Sequence, residues 1–380
     1  MKLLSQRPGF VVLLAGLCLA LPTTLLLSGR ASGSRQHAAA PAVKAGPGAG
    51  QSDLVERRKL HLVPTPTPVE LELTPPVATS AAAPAGGRTA PVPPSLVPVH
   101  PLATPAPAPA SLPAFSHIFT IVMENEESSS VVGNPSTPYI NGLASRYGLA
   151  TNYYAASHPS LPNYLALTAG STFGIGSDCT SCYVSAVNIA DQVEASGRSW
   201  RAYMEDMPSP CYTGAWSGNY AMKHDPFMYY NDIRDNPARC ASHVVPFNQF
   251  SSDLNSGHVP NYVFITPNTC NDMHDCPVST GDAWLQSVVP GITSSAAFQN
   301  GGVLFITWDE GASGAGCCGD SWGGRVATLV ISPLGIAGYH SGAAENHYSL
   351  LRTIEDAWHL GHLGAAGYGT TTVMREYFRN

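Results

Sequence analysis

The sequence predicts an α/β protein, a three-layer α/β/α sandwich around a mainly parallel central sheet. Four short apolar runs, rich in Val, Ile, Phe and Thr, have the composition of strands that are covered on both faces. Amphipathic stretches with the spacing of helices lie between them. Strands that alternate with helices indicate a parallel sheet with helices on both sides. The predicted strands are 117–123, 261–267, 302–308 and 325–332, and the predicted helices are 138–148, 187–197, 282–292 and 348–360.

The first 33 residues predict export. Lys2 and Arg7 precede an apolar run from Phe10 to Leu27, and small residues at 28–33 offer a cleavage site, which is the pattern of a signal peptide. The run is also close in length to a membrane-spanning helix, so a retained N-terminal membrane anchor is the alternative. We therefore expect the protein to be extracytoplasmic, either secreted or held at the cell surface.

Residues 34–113 predict a disordered linker. They are dominated by Ala, Pro, Gly, Ser and Thr, and they include PTPTPV (64–69) and TPAPAPA (104–110). Such a composition cannot bury enough apolar surface to offset the entropy lost on ordering. Residues 114–380 remain, a length suited to one catalytic domain.

Charge and cysteine content narrow the class of this domain. The net charge of −7 and the absence of a basic cluster after residue 113 argue against a nucleic-acid-binding protein. Of the 9 cysteines, all but Cys18 lie in the domain, and an even number in an exported domain indicates disulfides. The sequence does not fix the pairing. Our working assignments are Cys270 with Cys276, Cys211 with Cys240, and a structural disulfide role for Cys179 and Cys182.

Polar residues follow three of the predicted strands. The first strand ends in ENEE (124–127), the second in NTCNDMHD (268–275) and the third in DEG (309–311). Ligands of open α/β sheets bind beyond the carboxyl ends of the strands, so these residues are expected to meet at one edge. Three carboxylates and one amide oxygen suit a divalent cation, and unpaired acids packed together would otherwise repel. The predicted metal ligands are Glu124, Asn125, Asp309 and Glu310.

Two serines are candidates for a nucleophile. Ser160 stands directly before a helix-like segment, where free backbone N–H groups and the helix dipole favour an alkoxide and a bound phosphate. By position alone the N-cap interpretation is the favoured one. Ser321 lies in a G-x-S-x-G sequence (319–323), which in serine hydrolases needs a strand before it and a helix after it. Here an apolar strand follows, so the sequence argues against Ser321.

Five motifs occur in order along the domain: MEN (123–125), HPSLPNY (158–164), CNDMHDC (270–276), TWDEG (307–311) and NHYSLLRTIEDAW (346–358). Together they resemble the phosphoesterase family that contains acid phosphatases and bacterial phospholipases C, within the alkaline-phosphatase-like superfamily. The resemblance covers residues 115–360. It implies an alkaline-phosphatase-like fold and a phosphoesterase catalytic domain over 114–380.

The resemblance also implies roles for individual residues. The metal-ligand positions match the four residues named above, although family members often have an aspartate where Glu310 stands. The metal identity and number stay open among Ca, Mg, Mn and Zn. The implied catalytic residues are Ser160, Asn163, His274 and His347, and the implied substrate-binding residues are His158 and Asp275.

The expected function is that of an exported, metal-dependent phosphatase that hydrolyses phosphate monoesters through a phosphoserine intermediate. A phospholipase C-type phosphodiesterase acting on a phospholipid is the alternative. Phospholipases C of the family usually carry further domains, whereas this chain ends about twenty residues after the last motif. A second alternative is a non-catalytic cell-surface binding protein with the same fold. The sequence leaves the oligomeric state open.

Overall fold

The computed structural model describes residues 112–379. The predicted signal peptide or anchor (1–33) lies outside the described residues, as does the predicted linker except for residues 112 and 113. Within the described range, no helix combines the length and the apolar character needed to cross a membrane.

Eleven strands form in residues 112–379, most of them in one mixed sheet. The strands are β1 Ile118–Met123, β2 Gly148–Tyr154, β3 Trp200–Met204, β4 Trp216–Ser217, β5 Tyr220–Ala221, β6 Val244–Pro246, β7 Tyr262–Thr266, β8 Val303–Trp308, β9 Arg325–Ile331, β10 His340–Ser341 and β11 Glu345–Asn346. The main sheet has the order β10-β2-β9-β8-β1-β7-β3-β6, and β11 also pairs with β2. Strands β4 and β5 form a separate hairpin.

Helices surround this sheet. The α-helices are α1 Ser128–Val131, α2 Pro138–Arg146, α3 Ser160–Ala169, α4 Ile189–Ala195, α5 Asn231–Arg234, α6 Pro237–His243, α7 Phe250–Ser256, α8 Val278–Ser294, α9 Ala296–Gln299 and α10 His347–Trp358. Four 3-10 helices cover Met222–His224, Pro226–Tyr229, Phe247–Gln249 and Gly364–Gly367. Helix α3 contacts α4 and α10, while α2 and α9 contact α8. Every residue of β1, β7 and β8 is buried, so helices cover both faces of the central strands.

The predicted α/β class and mainly parallel sheet are confirmed. All four predicted strands and all four predicted helices form, within a few residues of the expected bounds. Strand β9 is the exception to parallel pairing, because it runs antiparallel to both β8 and β2. Strands β2, β3 and β6 were not predicted. Polar residues interrupt β2 and β3, and β6 is only three residues long and ends in proline, so none has the apolar run of a central strand.

The order of the central strands decides where the polar residues meet. Strand β1 lies between β8 and β7 and runs parallel to both, with Ile121 paired to Ile306 on one side and to Ile265 on the other. The carboxyl ends of the three strands therefore open on one edge of the sheet. The segments predicted to supply acids, amides and a histidine follow these three strands directly, as the sequence indicated.

The eight cysteines of the domain form four disulfides. Cys211–Cys240 and Cys270–Cys276 pair as assigned from the sequence, and Cys179 pairs with Cys182. The fourth disulfide joins the adjacent residues Cys317 and Cys318. Disulfides persist in oxidising compartments, so this content is typical of a protein that works outside the cytoplasm.

Candidate active site

Glu124 lies at the centre of the candidate site, and its side chain is fully buried. It follows β1 directly, and its carboxylate accepts hydrogen bonds on both oxygens. The hydroxyl of Ser160 donates to Oε2 over 3.0 Å, and the hydroxyl of Tyr164 donates to Oε1 over 2.7 Å. Strand β1 and helix α3 are thereby connected at the reactive edge of the sheet.

Asp309 and Glu310 reach the same place from the end of β8. The backbone N–H of Asn125 donates to Oδ1 of Asp309 over 3.0 Å, and Asn125 adopts the left-handed conformation that asparagine tolerates. Within residues 112–379, Oδ2 of Asp309 has no hydrogen-bond partner. The hydroxyl of Ser160 lies 3.3 Å from Oε1 of Glu310. Two of the predicted metal ligands, Glu124 and Glu310, therefore contact the predicted nucleophile, and Asn125 connects Glu124 to Asp309.

Burial makes this group of acids electrostatically unfavourable. It raises the pKa of Glu124 well above the usual value, and the nearby Asp309 and Asp272 raise it further. Burial, followed by the charge of Glu310, likewise raises the pKa of Asp309 well above its usual value. A cation among these carboxylates would remove the repulsion and satisfy the free Oδ2 of Asp309, and oxygen donors are those that hard divalent cations prefer. Among residues 112–379, no group of three or more His, Cys, Asp or Glu side chains is arranged to hold a metal ion, so the case for a cation rests on the chemistry of these oxygen donors.

Ser160 is the first residue of α3 and is 1% exposed. The helix begins after Pro159 and carries Pro162 in its first turn, where a missing N–H costs nothing, and it ends at Gly170 in the left-handed conformation. The Ser160 hydroxyl therefore sits at the positive end of the helix dipole, as the sequence predicted. Next to it, the N–H of Leu161 donates to Oδ1 of Asp178 over 3.0 Å.

Asn163 lies one turn along α3, but its amide faces the chain before the helix. Its Nδ2 donates to the carbonyl oxygens of Ser157 (2.8 Å) and Pro159 (3.1 Å), and its Oδ1 accepts from the N–H of Ser157 (2.8 Å). Both amide hydrogens are thus used within the protein. This differs from the expected hydrogen bond to a phosphoryl oxygen, and it makes Asn163 the residue that shapes the turn carrying Ser160.

His158 contacts one metal-ligand candidate, Glu310, and its side chain is 31% exposed. Its Nδ1 is hydrogen-bonded to Oε2 of Glu310, and its Nε2 lies 3.0 Å from the carbonyl oxygen of Ser313. The hydrogen bond to Glu310 is the main cause that raises the pKa of His158. The indole of Trp322, which is 54% exposed, packs edge-on against the imidazole. His158 therefore orients Glu310 at the rim of the site.

His347 is placed behind the site and not at its surface. It is the first residue of α10 and is fully buried, with Nε2 at 2.5 Å from the backbone oxygen of Asp309 and Nδ1 at 3.2 Å from the hydroxyl of Tyr153. Burial lowers the pKa of His347 to about 4, so the ring is neutral near pH 7. Both ring nitrogens have protein partners, which differs from the expected contact with the phosphoryl group and makes His347 a support for Asp309.

His274 and Asp275 lie on the loop that the Cys270–Cys276 disulfide closes. Nδ1 of His274 lies 2.7 Å from Oδ1 of Asp275, and Nε2 lies 3.5 Å from Nζ of Lys223. The His274 side chain is 30% exposed, so it can reach a ligand from the solvent side. The side chains of His274 and His158 are exposed to about the same extent, 30% and 31%, whereas His347 is buried.

Several residues of the site carried no recognisable signal in the sequence. His224 is buried with Nε2 at 3.1 Å from Oε1 of Glu124 and Nδ1 at 3.3 Å from Oδ2 of Asp272. Burial, then the charge of Lys223, lowers the pKa of His224 well below its usual value, while burial raises the pKa of Asp272 to about 7. Asp272 stands inside the CNDMHDC motif and was recognisable there. His224 and Lys223 lie in a segment without a motif, so only the fold brings them to Glu124.

Glu127 holds the loop that follows the acidic pair. Its carboxylate accepts from the backbone N–H groups of Ala312, Ser313 and Arg325, and from the hydroxyl of Ser313, each over 3.1 Å. Four donors on one carboxylate fix the path of the chain after Glu310. The sequence predicted that Glu127 follows the end of β1, but it did not predict that Glu127 binds the loop after Glu310.

Ser321 has the surroundings expected of a structural residue. It pairs with Cys317 in an isolated β-bridge, and β9 follows it where a nucleophile elbow would have a helix. A Cβ at Gly323 would overlap the carbonyl oxygen of Ser157, so this glycine permits a close approach of two backbone segments. The G-x-S-x-G sequence is therefore explained by packing.

Comparison with known proteins identifies the family of this chain. The sequence profile of the Phosphoesterase family matches residues 123–361. A phosphatidylinositol-3-phosphatase of Mycobacterium tuberculosis is 32% identical over 260 residues, which are 68% of this chain and 82% of that protein. A phosphate-repressible acid phosphatase of Penicillium chrysogenum is 30% identical over 260 residues, 66% of this chain and 61% of the relative. The chain thus spans less than two thirds of the fungal protein.

Solved structures with a similar arrangement include a protein of the alkaline phosphatase superfamily from Vibrio parahaemolyticus. It has 14% sequence identity and a TM-score of 0.49, and the match covers 72% of this chain and 74% of that one. The family match extends over more than half of the chain and includes every residue of the site described above. This chain belongs to the phosphoesterase family and is a hydrolase that acts on phosphoric ester bonds.

Proposed function

We propose that this protein is an exported, metal-dependent phosphatase that hydrolyses phosphate monoesters through a phosphoserine at Ser160. One observation carries the proposal: the Ser160 hydroxyl stands at a helix N-terminus, 3.0 Å from Glu124 Oε2 and 3.3 Å from Glu310 Oε1. A buried hydroxyl held by two carboxylates is prepared to lose its proton. A merely structural N-cap serine has no need of such neighbours.

Glu124, Asn125, Asp309 and Glu310 would hold the divalent cation. When bound, the cation supplies positive charge that lowers the pKa of the Ser160 hydroxyl and neutralises a phosphoryl oxygen. The four side chains would place that charge directly beside Ser160. The repulsion among the three carboxylates and the free Oδ2 of Asp309 support this assignment.

The reaction divides into two displacements at phosphorus. In the first, Oγ of Ser160 forms a bond to phosphorus, the bond to the leaving oxygen breaks, and the serine proton passes to a carboxylate oxygen of the Glu124–Glu310 pair. His274, which is partly exposed and hydrogen-bonded to Asp275, would give the leaving oxygen its proton. In the second, a water oxygen forms a bond to phosphorus, the bond between phosphorus and Oγ of Ser160 breaks, and inorganic phosphate is released. The water gives a proton to His274, and the proton held by the carboxylate pair returns to Ser160.

In this scheme, three of the predicted residues do not touch the substrate and instead hold other site residues in position. His158 orients Glu310, His347 supports the backbone of Asp309, and Asn163 fixes the turn before Ser160. These are positioning roles, because their polar atoms are bonded to the protein. Small displacements of the nucleophile reduce the rate strongly, so these contacts matter for catalysis without touching the substrate.

Phosphodiester cleavage, as in phospholipases C, is the competing proposal. Relatives named for acid phosphatase and for phosphatidylinositol-3-phosphatase activity favour phosphate monoesters, whether the leaving group is small or belongs to a lipid. The four disulfides support work in an oxidising compartment, and hence export. A non-catalytic binding role has no support, since the nucleophile and the acidic residues around it are all present.

The test uses the full chain, expressed in an oxidising host, with p-nitrophenyl phosphate and p-nitrophenyl phosphorylcholine as substrates. Ser160→Ala is compared with Ser321→Ala, which removes a hydroxyl of the same domain outside the site. We expect chelator-sensitive monoester turnover that Ser160→Ala abolishes and Ser321→Ala preserves. If only the phosphorylcholine diester is hydrolysed, the protein is a phosphodiesterase and not a phosphatase. If Ser160→Ala retains activity, Ser160 is not the nucleophile.

A further inference from the structure

Lys223 is the only lysine among residues 112–380, and it is 9% exposed. Lysine is almost never buried without a partner or a function, because removing an ammonium group from water is costly. Lys223 lies in the 3-10 helix Met222–His224, directly before the histidine that contacts Glu124. The single lysine of the domain is therefore next in the chain to a residue that contacts Glu124.

Asp178 ties Lys223 to the helix of Ser160. Nζ of Lys223 lies 2.9 Å from Oδ2 of Asp178, and Oδ1 of the same carboxylate accepts from the N–H of Leu161 over 3.0 Å. Leu161 directly follows Ser160. One carboxylate thus fixes the ammonium group relative to the N-terminus of α3, where the phosphoryl group of the substrate would lie.

Lys223 retains capacity to bind a further anion. An ammonium group has three N–H donors, of which Asp178 takes one, while Nε2 of His274 lies 3.5 Å away. Burial opposes the charge of Lys223, but Glu124 and Asp178 raise its pKa above the usual value, so the group stays protonated. This positive charge belongs to the protein itself and is carried by a residue outside the four proposed metal ligands.

We propose that Lys223, held by Asp178, binds the second negative charge of a phosphate monoester and so selects monoesters over diesters. The inference rests on the proposed function. A monoester dianion carries one more negative charge on its non-bridging oxygens than a diester does. A divalent cation serves both esters alike, whereas an additional fixed cation favours the dianion. Lys223 touches the substrate in this scheme, and Asp178 is a positioning residue.

The experiment compares Lys223→Met with wild type in the full chain. For each protein, kcat/KM is measured for p-nitrophenyl phosphate and for bis-p-nitrophenyl phosphate. Arg201→Met is the matched control, because it also removes a partly buried cation from an ion pair, with Asp253, outside the site. Removing one electrostatic donor of this kind lowers kcat by about 100- to 1,000-fold. We expect that loss for the monoester, less than about 10-fold for the diester, and neither for Arg201→Met.

Three further measurements keep the outcome interpretable. Lys223→Arg keeps the positive charge and should restore part of the monoester rate. If a thermal melt shows that Lys223→Met is unfolded, the double variant Lys223→Met/Asp178→Asn takes its place, because it removes both charges of the ion pair. The dissociation constant of inorganic phosphate should rise about 10-fold or more in Lys223→Met. This measurement tests anion binding by Lys223 without requiring catalytic activity. Equal losses for both esters, or unchanged phosphate binding, would overturn the inference. A wild type that hydrolyses neither ester yet loses phosphate affinity in the variant would refute the proposed function alone.

Discussion

Replacement of Glu345 by glutamine should change how the stability of this domain depends on pH. Glu345 lies in β11, just before His347, and is fully buried. The hydroxyl of Tyr377 donates to Oε2 over 2.7 Å, while Oε1 has no hydrogen-bond partner within residues 112–379. Burial raises the pKa of Glu345 to about 9. The folded protein therefore holds a neutral carboxyl group, which glutamine imitates.

The sign and size of the effect follow from proton linkage. The pKa of Glu345 is about 9 in the folded state against a reference value of 4.5, so the folded state binds the proton more tightly. This contribution to stability is fully present below about pH 4.5 and is lost as pH rises through about 9. Between those values each pH unit lowers the free energy of unfolding by about 1.4 kcal/mol. From pH 5 to pH 8 the wild type should lose about 4 kcal/mol that the variant keeps.

Urea unfolding at half-unit steps from pH 5 to pH 8 measures this difference directly. Asp235→Asn, which neutralises a carboxylate that is 62% exposed, is the control and should follow the wild-type curve. Other buried carboxyl groups, such as Asp225 with a pKa of about 7 and Glu355 with a pKa of about 8, act equally in both proteins and cancel. Parallel curves for wild type and Glu345→Gln would refute the assignment of a neutral buried carboxyl at this position.

Three further outcomes are expected at or near the active site. Asp309→Asn should lower the affinity for a divalent cation by at least about 10-fold, measured as metal content after dialysis, and an unchanged content would contradict the cation site. Glu127→Gln should lower kcat by about 10-fold while Glu126→Gln does not, because only Glu127 accepts four hydrogen bonds from the loop after the acidic pair. Gly323→Ala should destabilise the fold by about 3 kcal/mol in thermal melts, since its Cβ would overlap the backbone of Ser157, and a wild-type melting temperature would show that the two segments can separate.

The sequence alone was sufficient for the α/β class and for the principal acids of the site. Long apolar runs identify β1, β7 and β8, and residues that directly follow such strands must share one edge when the strands are parallel. For this reason Glu124, Asp309 and Glu310 could be grouped by their positions along the chain. The prediction needed only local pattern and the general geometry of parallel sheets.

The hydrogen-bond partners of polar side chains could be determined only from the tertiary structure. Asn163 and His347 carry functional motifs, yet the fold commits their side chains to the backbone of Ser157, Pro159 and Asp309. A motif records which residue type is present, whereas the partner of each donor depends on which groups the fold brings within about 3 Å.

No sequence pattern identified three further residues near the site, Lys223, His224 and Asp178. They stand in segments without an apolar run or a recognisable motif. They reach Glu124 and the start of α3 only because the chain between α3 and β7 returns across the edge of the sheet. Local sequence determines strands and helices through periodicity, which acts over a few residues. Contacts between residues 40 to 100 positions apart depend on the packing of the whole domain, and the charge balance around the nucleophile is decided there.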